Sequence, residues 1–455
     1  MIDFTKFTKY SRPGPRYTSY PTAPEFHTNF TQEDLCEKFK SQSDDRPLSL
    51  YIHIPFCRSA CYFCGCNVIF TSKEDKKVKY IEYLKKELKI LAQHLNTNRT
   101  VTQMHFGGGT PTFLSAPQLK EVLDAIKETF PNFSNDAEIS CEIDPRYFTK
   151  EHMDVLKEAG TNRVSFGVQD LDPKVQETIH RIQPFETTQN VVKIARDAGI
   201  KSINIDLIYG LPHQTKETFA KTIRDIVTLN PDRLAVFNYA HVPWMMKTQR
   251  KFDETTFAPP STKLEILKDS IEFFESTGYK MVGMDHFAKP EDELFKAIQK
   301  GELHRNFQGY TTKGGADLIG IGVTSIGDGV DYYVQNFKDL KSYEEAIDAG
   351  NLPVFKGYKL NDDDILRQYV IMELMSNFSL DIKRCEEKFN INFKEYFNDA
   401  LEALEEFQEA GLLTISDDKI EANSTGAMLI RNISMPFDAY LNNIPEDKRR
   451  FSKTI

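Results

Sequence analysis

The chain has 455 residues, a formal net charge of −10, 40% hydrophobic and 27% charged residues, which is room for a large core and two or three domains in an ordinary globular composition. The acidic balance argues against general nucleic-acid binding, which needs a basic face, and no apolar run approaches the ~20 residues of a membrane span. The opening MIDFTKFTKYSRPGPRY lacks the apolar stretch of a signal peptide, so a cytoplasmic chain with its seven cysteines reduced is expected.

Residues 1–45 are rich in Pro, Tyr and Thr and have no helical period. They predict an extended arm laid over the body, with a short helix near Thr31–Gln42 and with Tyr17 and Tyr20 packing rather than reacting. From Leu48 a strand–helix alternation begins. In Leu48–Ile54 the residues Leu48, Leu50, Ile52 and Ile54 fall on one face, and Ser49, Tyr51 and His53 on the other. Further strands are predicted at Val101–Phe106, Glu138–Ile143, Arg163–Val168, Ser202–Ile208, Arg233–Tyr239 and Lys280–Met284. Amphipathic helices lie between them, among them Lys77–Leu95 and Gln118–Phe130, the latter opened by a Ser115–Gln118 capping box. Glycines at 160, 199 and 278 each stand between a helix and a strand, as in the turns of a parallel α/β sheet. Right-handed crossovers then give about six or seven βα units, an α/β fold built as a complete or partial barrel over residues 46–350. Residues 351–455 read as helices followed by GLLTI, DDKI and STGAMLIRNI, the order of a small, mainly helical, winged-helix-like domain. Its acidic EALEEFQEAG points to packing or a lid rather than to DNA.

Three cysteines, Cys57, Cys61 and Cys64, stand just past the first strand in HIPFCRSACYFCGCN. The spacing C-x3-C-x2-C offers three thiolates and withholds a fourth. Fe–S clusters are usually held by four Cys; a 4Fe–4S cluster held by three keeps an open position on one iron, where chemistry can occur. The alternative is zinc completed by Cys66 or His53, but C-x3-C-x2-C-x-C is an uncommon zinc spacing and no second Cys or His pair follows. Cys66 is left as a spare ligand, a free thiol or a residue near substrate, and His53 as a satisfied interior histidine. Cys36, Cys141 and Cys385 read as buried small hydrophobes.

The ends of the later strands are polar: Gly107-Gly108-Gly109-Thr110 on the second, Glu142 and Asp144 on the third, Gln169 and Asp170 on the fourth, and Asp206 on the fifth. In barrels that end carries the site. The glycines admit close backbone approach to a ligand, and lack the spacing of a dinucleotide fingerprint.

The triple cysteine resembles that of the radical S-adenosylmethionine enzymes. PRYTSYPTA, LYIHIPFCRSACYFCGCNVI, HFGGGTPTFL, EISCEIDPR, FGVQD, NIDLIYGLP, GMDHFA, HRNFQGYTT and MLIRNI resemble, more narrowly, the oxygen-independent coproporphyrinogen III oxidases, along nearly the whole chain. The resemblance implies a partial (β/α)6 barrel with a C-terminal helical domain. It implies conversion of two propionates of coproporphyrinogen III to vinyl groups in haem biosynthesis, through a 5′-deoxyadenosyl radical that takes a hydrogen from the propionate β-carbon. Carried over by position, Cys57, Cys61 and Cys64 hold the 4Fe–4S cluster. Tyr51, Phe63, Gly108, Gly109, Thr110, Glu142, Gln169, Arg181 and Asp206 contact S-adenosylmethionine, and Ala240 and Ile326 contact a second molecule of it. Cys66 matches a cysteine that is not a ligand, and Phe307 and Gln308 fall near the substrate. A substrate with four carboxylates calls for cations, for which Arg12, Arg16 and Arg305 are candidates. A monomer with an external electron donor and acceptor, neither readable from sequence, is expected. The rival within the family is a haem-binding chaperone without decarboxylase activity, whose members usually lack the arm and Cys66.

Overall fold

The computed structural model describes residues 2–42, 44–445, 449, 451, 452 and 454. Its centre is a twelve-stranded sheet. In chain order the strands are β1 (Leu48–Ile54), β2 (Val101–Gly108), β3 (Phe133–Ile143), β4 (Arg163–Gln169), β5 (Ser202–Tyr209), β6 (Arg233–Asn238), β7 (Lys280–Val282), β8 (His286–Ala288), β9 (Asp317–Ile321), β10 (Ile326–Asp328), β11 (Tyr332–Asn336) and β12 (Val354–Lys359). Their spatial order is β12-β11-β10-β9-β1-β2-β3-β4-β5-β6-β8-β7. Strands β1 to β6 pair in sequence and in parallel, and β9 joins β1 in parallel on the other side.

After α1 (Gln32–Ser41) in the arm, each of β1 to β6 is followed by a helix: α2 (Glu74–Leu91), α3 (Ala116–Thr129), α4 (Lys150–Glu158), α5 (Phe185–Asp197), α6 (Lys216–Thr228) and α7 (Pro260–Ser276). This is the expected (β/α)6 core. Thr31 caps α1, and the Ser115–Gln118 capping box opens α3. Glycines 160, 199 and 278 take φ of 90°, 75° and 94°, as the helix-to-strand turns require.

Two expectations are corrected. Lys280–Val282 is not a seventh parallel unit: it pairs antiparallel with β8, which pairs antiparallel with β6. Only Gly283–Asp285 separates β7 from β8, so the connection is a hairpin and no crossover helix fits. The large sheet also runs on to Lys359 through the antiparallel strands β10, β11 and β12, past the boundary expected at 350.

Alternation gives the sheet two unlike faces. Leu50, Ile52, Met104, Phe106, Val164, Phe166, Ile203 and Ile205 are buried on the helix side, in one core with the packed faces of α2 to α7. The other face carries polar side chains, which satisfy one another in a chain across the sheet. Ser49 donates to Gln103 at 2.8 Å, and Gln103 to Glu138 at 2.9 Å. Glu138 pairs with Arg163 at 2.7 Å, Arg163 with Glu293, and Glu293 with Arg233 at 3.2 Å. This ladder forms the barrel floor.

The C-terminal segment contains α8 (Asp362–Asn377), α9 (Asn398–Glu409) and the hairpin Leu413–Ile415/Lys419–Ala422, to which Ser379–Asp381 adds a third strand. It matches the winged-helix order expected. Its apolar core takes in the arm: Phe7, Tyr10, Tyr17 and Tyr20 are buried there with Leu374, Phe397 and Phe437. Tyr17 donates to Asp438 at 2.9 Å. Arg431 donates to the carbonyls of Gly14, Pro15 (2.9 Å) and Thr454 (3.4 Å). The arm also pairs with the tail, Gly14 N to Ser452 O at 3.2 Å and Thr454 N to Arg12 O at 2.9 Å.

Losing the hydrogen bonds of a charged donor costs ~1.5–3 kcal/mol. Arg431→Ala, which leaves three arm and tail carbonyls without their donor, is therefore expected to lower stability by about that amount and to open residues 10–20 to limited proteolysis before the barrel. Equal cleavage rates in variant and parent would contradict the clasp.

Candidate active site

The strand ends and the cysteine loop enclose a cavity of about 280 Å³. Cys57, Cys61, Cys64, Cys66, Phe63, Gly108, Gly109, Thr110, Glu142, Gln169, Arg181 and Asp206 all line it. The loop is stitched to the sheet by backbone bonds: Gly109 N donates to Ile54 O at 2.8 Å and Thr110 N to Phe56 O at 3.0 Å. A Cβ at Gly109 would stand 2.7 Å from Phe56 O and 2.9 Å from Pro55 O, so glycine is what lets β2 lie against the cysteine loop. Thr110 Oγ1 lies 3.7 Å from Cys57 Sγ. Cys66 N points at Cys64 Sγ, 3.4 Å away, while the Cys66 side chain lines the same cavity.

Among the described residues, no three Cys, His, Asp or Glu side chains converge as one bound ion requires. A cluster makes a different demand, one thiolate for each of several irons. Three thiols around a common cavity, with two guanidiniums beside Cys61 (Arg146 Nη2 and Arg181 Nη1, each 3.6 Å from its sulfur), fit an anionic thiolate cluster.

The polar face of the sheet forms the inner wall. The Tyr51 ring stacks on His105 at 5.9 Å, and its hydroxyl lies 3.1 Å from His53 Nδ1. His105 reaches Ser140 at 2.6 Å and Glu142 at 3.4 Å. Burial would raise the Glu142 carboxyl, but the His105 hydrogen bond and charge outweigh it and hold the group below its usual value. Asp206 accepts from Ser165 at 2.9 Å and from Asn204 at 2.7 Å. Burial pushes its carboxyl up from 3.8 to about 6. The walls thus hold one carboxylate charged beside another that protonates near neutrality, both within reach of a cationic or hydroxylated ligand. Gln169 closes β4 with φ 73°, a left-handed conformation costing ~1–2 kcal/mol in a non-glycine residue; its Nε2 lies 2.9 Å from where a Cβ on Gly167 would be. His53 is buried with both ring nitrogens engaged, by Tyr51 and by Asn67 O, and burial lowers it to about 4. It is the satisfied interior histidine expected.

Other expected site residues lie outside the cavity wall. Tyr51 stands behind it, its ring edge 3.1 Å from a Cβ placed on Gly107. Ala240 is beside the cysteine loop, since Gln249 Nε2 donates to both Phe63 O (3.1 Å) and Ala240 O (3.3 Å). Ile326 and Phe307 pack together against Phe26, Tyr333 and Leu360. Arg16 donates to Asn238 O at 3.4 Å. Arg16 and Arg305 act together on half-buried Asp285: desolvation would raise its carboxyl, but His286, Arg305 and Arg16 hold it well below the usual range. Arg12 does not join this group; its guanidinium lies over Phe407 at 5.9 Å. Arg305 Nε and both amide atoms of Gln308 are buried with no hydrogen-bond partner among the described residues. Cys141 and Cys385 are buried as expected, while Cys36 is only half-buried.

Sequence reasoning missed Arg146, His105 and Arg431. His105 was signalled by alternation, falling between Gln103 and Gly107 on the polar side of β2. Arg146, two residues past Asp144, and Arg431, inside the apolar MLIRNI, carried no pattern of their own.

A sheet of this order with three loop thiols over its open end is what a radical S-adenosylmethionine enzyme requires, and the comparisons with known proteins place the chain in that class. The Radical SAM superfamily profile matches residues 51–226, and the HemN C-terminal domain profile matches residues 360–429. The oxygen-independent coproporphyrinogen III oxidase of Helicobacter pylori J99 is 60% identical over 100% of this chain and 99% of its own length. That of Escherichia coli K12 is 44% identical over 100% and 98%. The solved structure of coproporphyrinogen III oxidase (HemN) from Escherichia coli, described as a radical SAM enzyme, superposes with a TM-score of 0.92 at 43% identity, covering 97% of this chain and 99% of that one. The chain belongs to the family of oxygen-independent coproporphyrinogen III oxidases. Superfamily membership implies a 4Fe–4S cluster and S-adenosylmethionine.

Two outcomes follow from the geometry. Gly109→Ala drives a methyl into the Pro55–Phe56 backbone and is expected to cut iron incorporation on anaerobic reconstitution, read by iron and sulfide assay; full incorporation would show that the loop tolerates the shift. Asp206 has a folded value above its ordinary one, so folding favours its protonated form, and the carboxylate costs stability as pH rises through about 6. Asp206→Asn should therefore melt higher than the parent near pH ~8 in metal-free protein, with the difference gone below about pH 4, by calorimetry.

Proposed function

We propose that this chain carries out the oxygen-independent oxidative decarboxylation of coproporphyrinogen III, turning two propionates into vinyl groups and yielding protoporphyrinogen IX. The observation that carries this reading is the thiol-lined cavity in a chain 60% identical along its whole length to an enzyme of that name. Held by Cys57, Cys61 and Cys64, a 4Fe–4S cluster would supply the one-electron reduction by which S-adenosylmethionine becomes a source of hydrogen-abstracting radical chemistry.

The chain's own residues bind, orient and shield. Cys57, Cys61 and Cys64 hold the cluster. Glu142, kept ionised by His105, takes the cationic amino group, and Asp206 with Gln169 takes hydroxyls. Gly108, Gly109 and Thr110 offer backbone at close range, Arg181 takes a carboxylate, and Tyr51 and Phe63 supply flat apolar wall. Ala240 and Ile326 are assigned to a second S-adenosylmethionine, supported by Ala240 lying against the Phe63 segment through Gln249. Arg16 and Arg305, with Phe307 and Gln308, are assigned to the substrate; the unpartnered Arg305 Nε and Gln308 amide support a polar ligand there, since buried polar groups are otherwise satisfied. Cys66 is read as a non-ligand thiol at the cavity.

We take the enzyme to be a cytoplasmic monomer with an external electron donor and acceptor; no helix among the described residues is long and apolar enough to cross a membrane. Residues 1–45 form an arm to a barrel unit and a C-terminal unit, with the second boundary drawn at about 360, where the apolar cores separate.

The test is anaerobic: reconstituted protein with dithionite, S-adenosylmethionine and coproporphyrinogen III is expected to give protoporphyrinogen IX and 5′-deoxyadenosine. Glu142→Gln should weaken S-adenosylmethionine binding about 10–100-fold, the range of a lost charged hydrogen bond. Cleavage of S-adenosylmethionine without a vinyl product would remove the substrate assignment and keep the radical chemistry.

A further inference from the structure

Cys61 differs from the other two thiols in its surroundings. It is buried, and two guanidinium groups aim at its sulfur. Arg146 is fixed for this contact: its Nε lies 3.0 Å from Asp144 Oδ1 and its Nη2 2.6 Å from Oδ2, and its guanidinium carbon stands 5.3 Å from the centre of the Tyr147 ring. Arg181 reaches the same Asp144 oxygen at 3.2 Å and also bonds Gly167 O. One carboxylate therefore holds two cations against one ligand sulfur. Asp144 and both arginines are nearly excluded from water (7%, 13% and 8% side-chain exposure), so their charges are weakly screened.

Reduction adds one electron to the cluster from an external one-electron reductant, with no bond made or broken. The added negative charge spreads onto the ligand sulfurs, and N–H donors and positive charge there stabilise the reduced form more than the oxidised one. We propose that Arg146 is a positioning residue that acts through Cys61 to raise the midpoint potential of the cluster and ease its reduction. This rests on the cluster reading above. Arg146 is the informative member of the pair, because Arg181 is assigned to S-adenosylmethionine as well.

The experiment uses reconstituted full-length parent, Arg146→Met and Arg146→Lys. Iron and sulfide are measured first, then the midpoint potential by EPR-monitored titration without S-adenosylmethionine. The expected result is equal iron and sulfide, a midpoint more negative in Arg146→Met, and an intermediate one in Arg146→Lys, which keeps the charge but loses the planar fork. The same midpoint in all three overturns the proposal. Should Arg146→Met not load, a lysine variant with the parent's midpoint overturns it and a more negative one supports it. Loss of the cluster from both variants also overturns it, because Arg146 then builds the loop rather than setting its potential. A parent that binds neither iron nor sulfide would sink the cluster reading itself.

Discussion

The parallel sheet has one apolar face and one polar face, and the rest of the molecule depends on how the polar one is satisfied. Burying the apolar side against six helices drives folding, at ~1.5–3 kcal/mol for each fully buried large side chain. The polar side gains far less, ~0.5–1.5 kcal/mol for each hydrogen bond, and loses more wherever a group is left unpaired. At the floor the chain from Ser49 to Arg233 pairs most of these groups internally, with Arg163 Nε left without a hydrogen bond. At the open end Glu142, Asp206 and Gln169 line a cavity instead. Floor and site are the same face of the same strands, separated by two or three residues of alternation.

The cysteine loop is placed by backbone and side chains together. The carbonyls of Ile54 and Phe56 accept from Gly109 and Thr110, just past β2, and the absence of side chains at Gly108 and Gly109 brings the two segments together. Phe56–Cys57 also pairs with Ile69–Phe70, and Gln249 donates to Phe63 O, so the thiols stand over the polar wall on a loop tied at several points.

Much of this was legible because it follows alternation. The six strand–helix units, the cap at Ser115 and the strand-end residues all obey a period of two or a cap rule. The hairpin of β7 and β8 was not: Lys280–Met284 has the residues of a strand, and sequence does not state its direction. The strands after residue 300 are short, and the pairing that joins them to the sheet, β9 with β1, depends on contacts far away in sequence. Site residues on regular strands were read from position; Arg146 acts from the turn after β3 and Arg431 from the five-residue helix Ile430–Ser434, both too short to show a period. The remote placement of Ile326 and Phe307 reflects the same limit, since they meet through the arm residue Phe26.

The arm is made first, yet its partners are made last: Tyr17 needs Asp438, Gly14 and Pro15 need Arg431, and Arg12 needs Thr454. On the ribosome the barrel strands emerge long before the clasp can shut, and domains generally fold as units in order of synthesis. The nascent protein therefore passes through an interval in which the cysteine loop is built while the strap is still loose. The segment that leads the chain is thus among the last to find its place in the fold.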